Sequence, residues 1–159
     1  MAREPLVLVV EDEFLIAFST AEMLEARGFA VVTAGSSVDA MRVLDDLNER
    51  LAGLFLDVYF RNGATSVEVA RAARRRFPDI AVLYASGLSD IGFRDQFVPG
   101  SAFLAKPCDM DAVAETLRAM IADSGRQPEA RGAEITAGPS RPSRPTRRSI
   151  PNARARRDS

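Results

Sequence analysis

Residues 6–13 read LVLVVEDE, five apolar residues followed by three acidic ones. The apolar run is short and rich in β-branched side chains, and it lacks the alternation of a strand with one face in water. This pattern predicts a strand buried on both faces, as in a parallel sheet covered by helices. The strand is expected to end where Glu11, Asp12 and Glu13 begin, so that charged groups lie at its carboxyl end.

Four further apolar runs follow the same plan and alternate with helical patterns. The other strands are predicted at residues 29–33, 54–56 (leading into Asp57), 80–85 and 101–105. The helices are predicted at residues 14–27 (capped by Gly28), 36–47 (capped by Ser36 and Ser37), 67–76, 90–96 (short) and 109–123. The alternation predicts an α/β domain with a flavodoxin-like, doubly wound, five-stranded parallel sheet, (βα)5, and right-handed crossovers place helices on both faces.

Three of the helices carry apolar residues at helical spacing that are expected to face the core. These residues are Leu15, Phe18 and Leu24 in the first helix, Val38, Met41, Leu44 and Leu47 in the second, and Val113, Leu117, Met120 and Ile121 in the last.

Charge and composition divide the chain into two parts. Residues 1–124 carry 12 basic and 19 acidic side chains, whereas residues 125–159 carry nine Arg, three acidic residues and five Pro. The second part has too few large apolar residues to form a core. We therefore expect a folded domain at 5–124 and a disordered basic tail at 125–159, with no membrane span and no folded DNA-binding domain.

The composition also excludes several chemistries. The chain has no His, which removes the commonest general base and transition-metal ligand. Cys108 is the only cysteine, so an internal disulfide is excluded and a reducing compartment is indicated. Because no apolar run is long enough to span a bilayer and no signal-peptide core precedes the first strand, a cytoplasmic location is expected.

Ionisable or hydroxyl groups follow four of the predicted strands. Glu11 and Asp12 follow the first, Asp57 the third, Ser86 the fourth and Lys106 the fifth. In open α/β sheets, ligands bind outside the carboxyl ends of the strands, so these side chains are expected to converge. A cluster of carboxylates is costly unless a cation neutralises it, and Mg²⁺ accepts carboxylate and phosphate oxygens. Lys106, the single Lys beside twenty Arg, supplies a compact positive charge.

This set of residues resembles the response-regulator receiver family over about residues 5–123. The matching pieces are the acidic pair Glu11-Asp12, the strand-end Asp57, Ser86-Gly87 and Lys106-Pro107. The resemblance implies a domain of a two-component phosphorelay in which Asp57 accepts a phosphoryl group from a histidine kinase or phosphotransfer protein. It implies no enzyme acting on an external substrate, but a phosphoacceptor that assists its own Mg²⁺-dependent phosphorylation and dephosphorylation.

The resemblance also implies individual roles. Glu11, Asp12, Asp57 and the backbone carbonyl of Tyr59 would hold Mg²⁺, and Lys106 would neutralise the transferring group. Two further residues would carry the signal: Ser86 would bind the phosphoryl oxygen, and Phe103 would turn inward as the switch aromatic. An unidentified downstream protein and a dimer that forms on phosphorylation are the implied partners.

Several positions depart from the common family pattern. Glu11 stands in place of Asp, Arg61 in place of Pro and Phe103 in place of Tyr. The change at Arg61 suggests a more mobile loop after Asp57. The stretches 57–66 and 83–87 are similar to a subgroup of stand-alone receivers with a Phe-Ala-Thr-Gly-type motif, in which the fourth-helix region is loose.

Other interpretations remain open on the sequence alone. Each motif by itself could be structural: Glu11-Asp12-Glu13 as a helix N-cap, Asp57 and Ser86 as turn formers, and Phe103 as a core residue. The main alternative function is a phosphorylation-independent, receiver-shaped adaptor. A phosphatase of the haloacid-dehalogenase type is disfavoured because Tyr59 stands where its second Asp belongs. A flavin-binding domain is disfavoured because the acidic first loop would repel a phosphate.

Overall fold

The computed structural model describes residues 2–47, 50–62 and 64–125. In chain order, the elements are β1 (Leu6–Val10), α1 (Phe14–Glu25), β2 (Ala30–Ala34), α2 (Ser37–Asp46), β3 (Gly53–Asp57), α3 (Val67–Arg76), β4 (Ala81–Ser86), a 3₁₀ helix (Leu88–Gln96), β5 (Ala102–Ala105) and α4 (Met110–Gly125). Of the tail predicted at 125–159, residues 126–159 lie outside the described residues. Gly125, assigned to that tail from the sequence, instead ends α4.

All five strands pair in parallel, in the order β2-β1-β3-β4-β5. The sheet is the five-stranded parallel sheet predicted from the alternation of apolar runs. The short helix predicted at 90–96 is a 3₁₀ helix and begins at Leu88. No helix in the described ranges is both long enough and apolar enough to cross a membrane.

The core lies on both faces of the sheet, because successive strand residues point to opposite sides. Leu8, Leu54 and Tyr84 belong to a cluster on one face, which α2 and α3 cover. Val9 and Leu83 belong to the cluster on the other face, which α1 and α4 cover. The central strands β1, β3 and β4 are therefore buried on both faces, as the sequence predicted, and β3 and β4 end on the polar residues Asp57 and Ser86.

Two helices bury only part of the predicted apolar set: Leu24 in α1 and Leu44 in α2 are buried as predicted, and other members are exposed. In α1, Leu15 and Phe18 are 77% and 53% exposed, and the side chains buried in that helix are Ala17, Thr20 and Leu24. Helix α1 has apolar residues on every side, so periodicity alone does not select its buried face. The small side chains of Ala17 and Thr20 allow the helix to approach the sheet more closely than Leu15 and Phe18 would.

In α2, Val38 and Met41 are also exposed, and Ala40 and Leu44 are the buried residues. The start of this helix is as predicted, because the Ser36 hydroxyl accepts a hydrogen bond from the backbone N–H of Asp39 at 3.0 Å. In α4, Val113 and Leu117 are fully buried, whereas Met120 and Ile121 are only half-buried.

Candidate functional site

The site lies at the carboxyl ends of the four strands β1, β3, β4 and β5. Asp57 is the last residue of β3 and pairs in register with Ala85, and Ser86 at the end of β4 pairs with Ala105. Lys106 follows β5 directly, and its backbone N–H donates to the carbonyl of Ser86 at 2.8 Å. The parallel register therefore brings the predicted aspartate and lysine to the same edge, although 49 residues separate them in sequence.

The Lys106 ammonium lies between two carboxylates. Its Nζ is 2.8 Å from Asp57 Oδ2 and 3.5 Å from Glu11 Oε2. The exposed fractions of the three side chains are 34% for Lys106, 17% for Asp57 and 7% for Glu11. The sequence prediction that Glu11, Asp57 and Lys106 converge is therefore confirmed.

Burial and neighbouring charges shift the pKa of two of these groups. Burial raises the pKa of Glu11, Lys106 opposes the rise, and the nearby Asp57 charge together with a hydrogen bond to Asp12 adds to it. Burial alone would lower the pKa of Lys106, but the hydrogen bond and charge of Asp57 and the charge of Glu11 outweigh it and raise that pKa. The ammonium is therefore held in its charged form against the two carboxylates.

Asp12 and Glu13 are engaged by a residue whose contact the sequence did not predict. The backbone N–H of Arg61 donates to Asp12 Oδ2 at 2.7 Å, and the Arg61 guanidinium forms an ion pair with Glu13. These contacts join the segment after β3 to the segment after β1. The expectation that Arg61 in place of Pro makes the loop after Asp57 more mobile did not include them. A proline at position 61 would have no N–H to donate.

The donor set fits a hard divalent cation. Glu11, Asp12 and Asp57 offer only oxygen ligands, and the raised pKa of Glu11 reflects burial and concentrated negative charge that a cation would relieve. Across residues 2–47, 50–62 and 64–125, however, no three acidic or thiol side chains form a ready cation cluster. The acidic side chains have other partners: Lys106 pairs with both Glu11 and Asp57, and Asp12 accepts a hydrogen bond from the Arg61 backbone N–H.

The remaining predicted residues lie on β4, on β5 and in the segment after β3. Ser86 is 3% exposed at the end of β4. The Tyr59 backbone bridges to Thr65, and its ring meets Phe93 edge-on with centroids 5.0 Å apart. Phe103 on β5 is half-buried, and the Arg94 guanidinium lies 4.6 Å from the centroid of its ring.

An aromatic stack connects Phe103 to the core and was not predicted. The Tyr84 and Phe97 rings stack with centroids 3.9 Å apart, and Phe97 lies 6.1 Å from Phe103. The only hint in the sequence is the Phe-rich segment after residue 92, and it does not say where that segment folds back. The stack joins β4, the end of the 3₁₀ helix and β5.

A cavity of about 530 Å³ opens beside the Asp57–Lys106 pair. Glu11, Asp57 and Lys106 form its polar end, and its apolar lining includes Ile16, Phe55 and Met110. Cys108 also lines it, and burial raises the pKa of that thiol. The thiol is therefore a poor nucleophile at neutral pH, in keeping with a structural role.

Four curated proteins, among them a sensor kinase and a transcriptional activator, are similar in sequence, while no family model matches the chain. Sensor kinase CckA of Brucella abortus (strain 2308) is 30% identical over 120 residues, which are 72% of this chain and 12% of that protein. Transcriptional activator protein ExaE of Pseudomonas putida is 30% identical over 120 residues, 73% of this chain and 55% of that protein. The chain thus spans about an eighth of one relative and about half of the other.

Solved structures with the same fold cover nearly all of the described residues. A response regulator receiver protein from Sinorhizobium medicae WSM419 has a TM-score of 0.70 at 23% identity, over 76% of this chain and 97% of that one. The receiver domain of hybrid histidine kinase CckA has a TM-score of 0.61 at 26% identity, over 73% and 98%.

A third structure is a response regulator protein from Burkholderia pseudomallei with a phosphorylated aspartic acid, calcium ion and citrate. Its TM-score is 0.65 at 23% identity, over 77% of this chain and 72% of that one. From the sheet order, the strand-end site and these likenesses together, we conclude that residues 6–125 have the CheY-like fold of the response-regulator receiver domains that serve two-component systems.

Proposed function

We propose that this chain accepts a phosphoryl group on Asp57 from a histidine kinase or a phosphotransfer protein. The observation that carries the proposal is the Asp57–Lys106 pair at 2.8 Å, at the carboxyl ends of parallel strands and beside buried Glu11. The likeness to a segment of a protein named sensor kinase, and to a receiver domain of a hybrid histidine kinase, supports a phosphorelay donor.

In the proposed reaction, an Asp57 carboxylate oxygen attacks the phosphorus of a phosphohistidine. The P–N bond breaks and its electron pair stays on the imidazole nitrogen, which leaves an acyl phosphate on Asp57. Lys106 shifts its hydrogen bond from the Asp57 carboxylate to a phosphoryl oxygen, and its ammonium neutralises charge on the phosphoryl group. Water later attacks the same phosphorus, the P–O bond to Asp57 breaks, and inorganic phosphate leaves with the Asp57 carboxylate restored. The domain thus turns over only its own aspartyl phosphate.

A divalent cation, which we propose to be Mg²⁺, would be held by Glu11, Asp12, Asp57 and the Tyr59 carbonyl. When bound, it would supply positive charge to the phosphoryl oxygens. The calcium ion and phosphorylated aspartic acid in the Burkholderia pseudomallei structure support this proposal. Glu11 must be deprotonated to take part, and its raised pKa moves that requirement to higher pH than for an ordinary glutamate.

The signal would pass from Ser86 to Phe103. We propose that the buried Ser86 hydroxyl binds the phosphoryl oxygen and that Phe103 then moves inward. That movement would end its contact with Arg94, which lies 4.6 Å from the ring centroid. The surface formed by the 3₁₀ helix, β5 and α4 would change with it, and a downstream protein or a second copy would read the change.

We also propose that the chain acts as a stand-alone signalling protein or phosphate sink. Residues 57–66 and 83–87 support its membership of the Phe-Ala-Thr-Gly-type subgroup of receivers.

The alternative function is a phosphorylation-independent adaptor. Exposed apolar residues on α1 favour it: Phe14 is 78% and Leu15 77% exposed. A partner complex that survives Asp57→Ala and ignores phosphodonors would favour the adaptor.

Intact-protein mass spectrometry tests the proposal. The full chain is incubated with acetyl phosphate or phosphoramidate and Mg²⁺, beside Asp57→Asn and a metal-free control. The proposal predicts one phosphoryl adduct that requires both Asp57 and the cation. An adduct of equal yield on Asp57→Asn would contradict it.

A further inference from the structure

Between β3 and α3, the described residues on either side of Arg61 are held by backbone contacts. Tyr59 bridges to Thr65, and the backbone N–H of Phe60 donates to the carbonyl of Ala64 at 3.0 Å. The Asn62 side chain accepts a hydrogen bond from the Ala64 backbone N–H at 3.0 Å. These contacts fix the backbone on both sides of Arg61, so its position does not depend on its long side chain alone.

Arg61 engages two neighbouring acids through different groups. Its backbone N–H donates to Asp12 Oδ2 at 2.7 Å, which is short for an N–H···O bond. Its guanidinium forms an ion pair with Glu13, whose side chain is 33% exposed. The contacts join segments 49 residues apart in sequence.

Such contacts oppose a cation at the acidic end of the site. The Arg61 N–H occupies a lone pair of the Asp12 carboxylate, and a metal ion bound by Asp12 also needs a lone pair of that group. The guanidinium is held by Glu13, the residue that follows Asp12, and its permanent positive charge repels an incoming divalent ion. Lys106 does the same from the other side, between Glu11 and Asp57.

We propose that Arg61 is a positioning residue that stabilises the metal-free arrangement of Asp12 and Glu13, the acids that follow β1. It thereby sets the concentration of divalent cation at which the site binds the ion. This inference rests on the proposed function, since it assumes that Glu11, Asp12 and Asp57 bind a cation. The inference adds a regulatory element to that function. The site binds a cation only when the ion displaces the contacts that the Arg61 backbone and side chain make with Asp12 and Glu13.

Isothermal titration of the full chain with MgCl₂ tests the inference. Arg61→Ala should bind Mg²⁺ about three- to tenfold more tightly than the natural chain, because it loses the repelling charge. Arg61→Lys keeps that charge and should stay near the natural affinity. Arg42→Ala is the matched control: Arg42 is also 73% exposed and pairs with an acid, Asp39 on α2, and its removal should leave the affinity unchanged.

Weaker or equal binding by Arg61→Ala overturns the inference, and so does a gain of the same size in Arg61→Lys. Binding by neither the natural chain nor Arg61→Ala overturns it as well. Thermal melts without metal establish that each variant is folded, and Arg61→Gln is the second charge-free variant. Phosphoryl incorporation at Asp57, measured on the same samples, judges the proposed function separately from the role of Arg61.

Discussion

Replacing Lys106 with Met removes the positive charge between Asp57 and Glu11 while keeping an unbranched side chain of similar length. The two carboxylates then face each other without the ammonium that lies 2.8 Å and 3.5 Å from them. Exposed ion pairs contribute about 0–1 kcal/mol, and removal of one partner from a buried pair costs about 3–5 kcal/mol. Lys106 is 34% exposed and its partners less so, which places the expected loss between these limits, at about 1–3 kcal/mol.

Urea unfolding at neutral pH without metal measures this loss. A second set of unfolding curves with Mg²⁺ should show a smaller deficit, because a bound cation takes over part of the charge compensation. The double variant Lys106→Met, Asp57→Asn should also show a smaller deficit than the sum of the single changes, by at least about 0.5 kcal/mol. A loss below about 0.5 kcal/mol, or full additivity with Asp57→Asn, would refute the coupling described above.

Other consequences of the structure are open to similar tests. Leu54→Ala should lower the free energy of unfolding by about 3–5 kcal/mol since Leu54 is fully buried, whereas Leu15→Ala on the exposed side of α1 should change it by less than about 0.5 kcal/mol. Arg74→Ala should cost about 1–2 kcal/mol, because the guanidinium donates to the carbonyls of Ile80 at 3.0 Å and Pro99 at 2.6 Å; a variant as stable as the natural chain in urea would contradict this. Glu11→Gln should become more stable relative to the natural chain as pH rises above 4.5 in metal-free buffer, because a raised pKa in the folded state means that stability is lost as Glu11 ionises. Melting curves from pH 4 to 8 that run parallel would contradict that expectation.

The strand-end site could be predicted because few physical constraints determine it. A run such as Leu6–Val10 is apolar at every position and has to be buried on both faces, which requires a parallel sheet with helices on each side. Parallel pairing then aligns the carboxyl ends, so the residues that follow each strand converge. Asp57 and Lys106 are therefore brought together by topology rather than by any local signal.

The buried face of α1 could not be predicted in the same way. Phe14, Leu15 and Phe18 give as strong an apolar pattern as the face that the structure buries. The choice depends on how closely the helix approaches the sheet, which favours small residues such as Ala17, and this distance is a property of the assembled fold.

The Arg61 contacts also could not be predicted from the sequence. They depend on a turn held by hydrogen bonds at Phe60 and Asn62, and they reach acids 48 and 49 residues away in the chain. In the sequence, Arg61 stands out only as a replacement for the proline common in the family. The backbone N–H that Arg61 retains donates to Asp12, a contact that depends on how the two loops lie in the folded domain.

The central claim is that Asp57 is the phosphoacceptor, and chemical trapping of the adduct tests it most directly. The chain is phosphorylated with phosphoramidate and Mg²⁺, reduced with borohydride, digested and sequenced by mass spectrometry. Reduction converts an aspartyl phosphate to homoserine, so the account predicts homoserine at position 57 and an unmodified Asp12. Homoserine at another aspartate, with Asp57 intact, would contradict it.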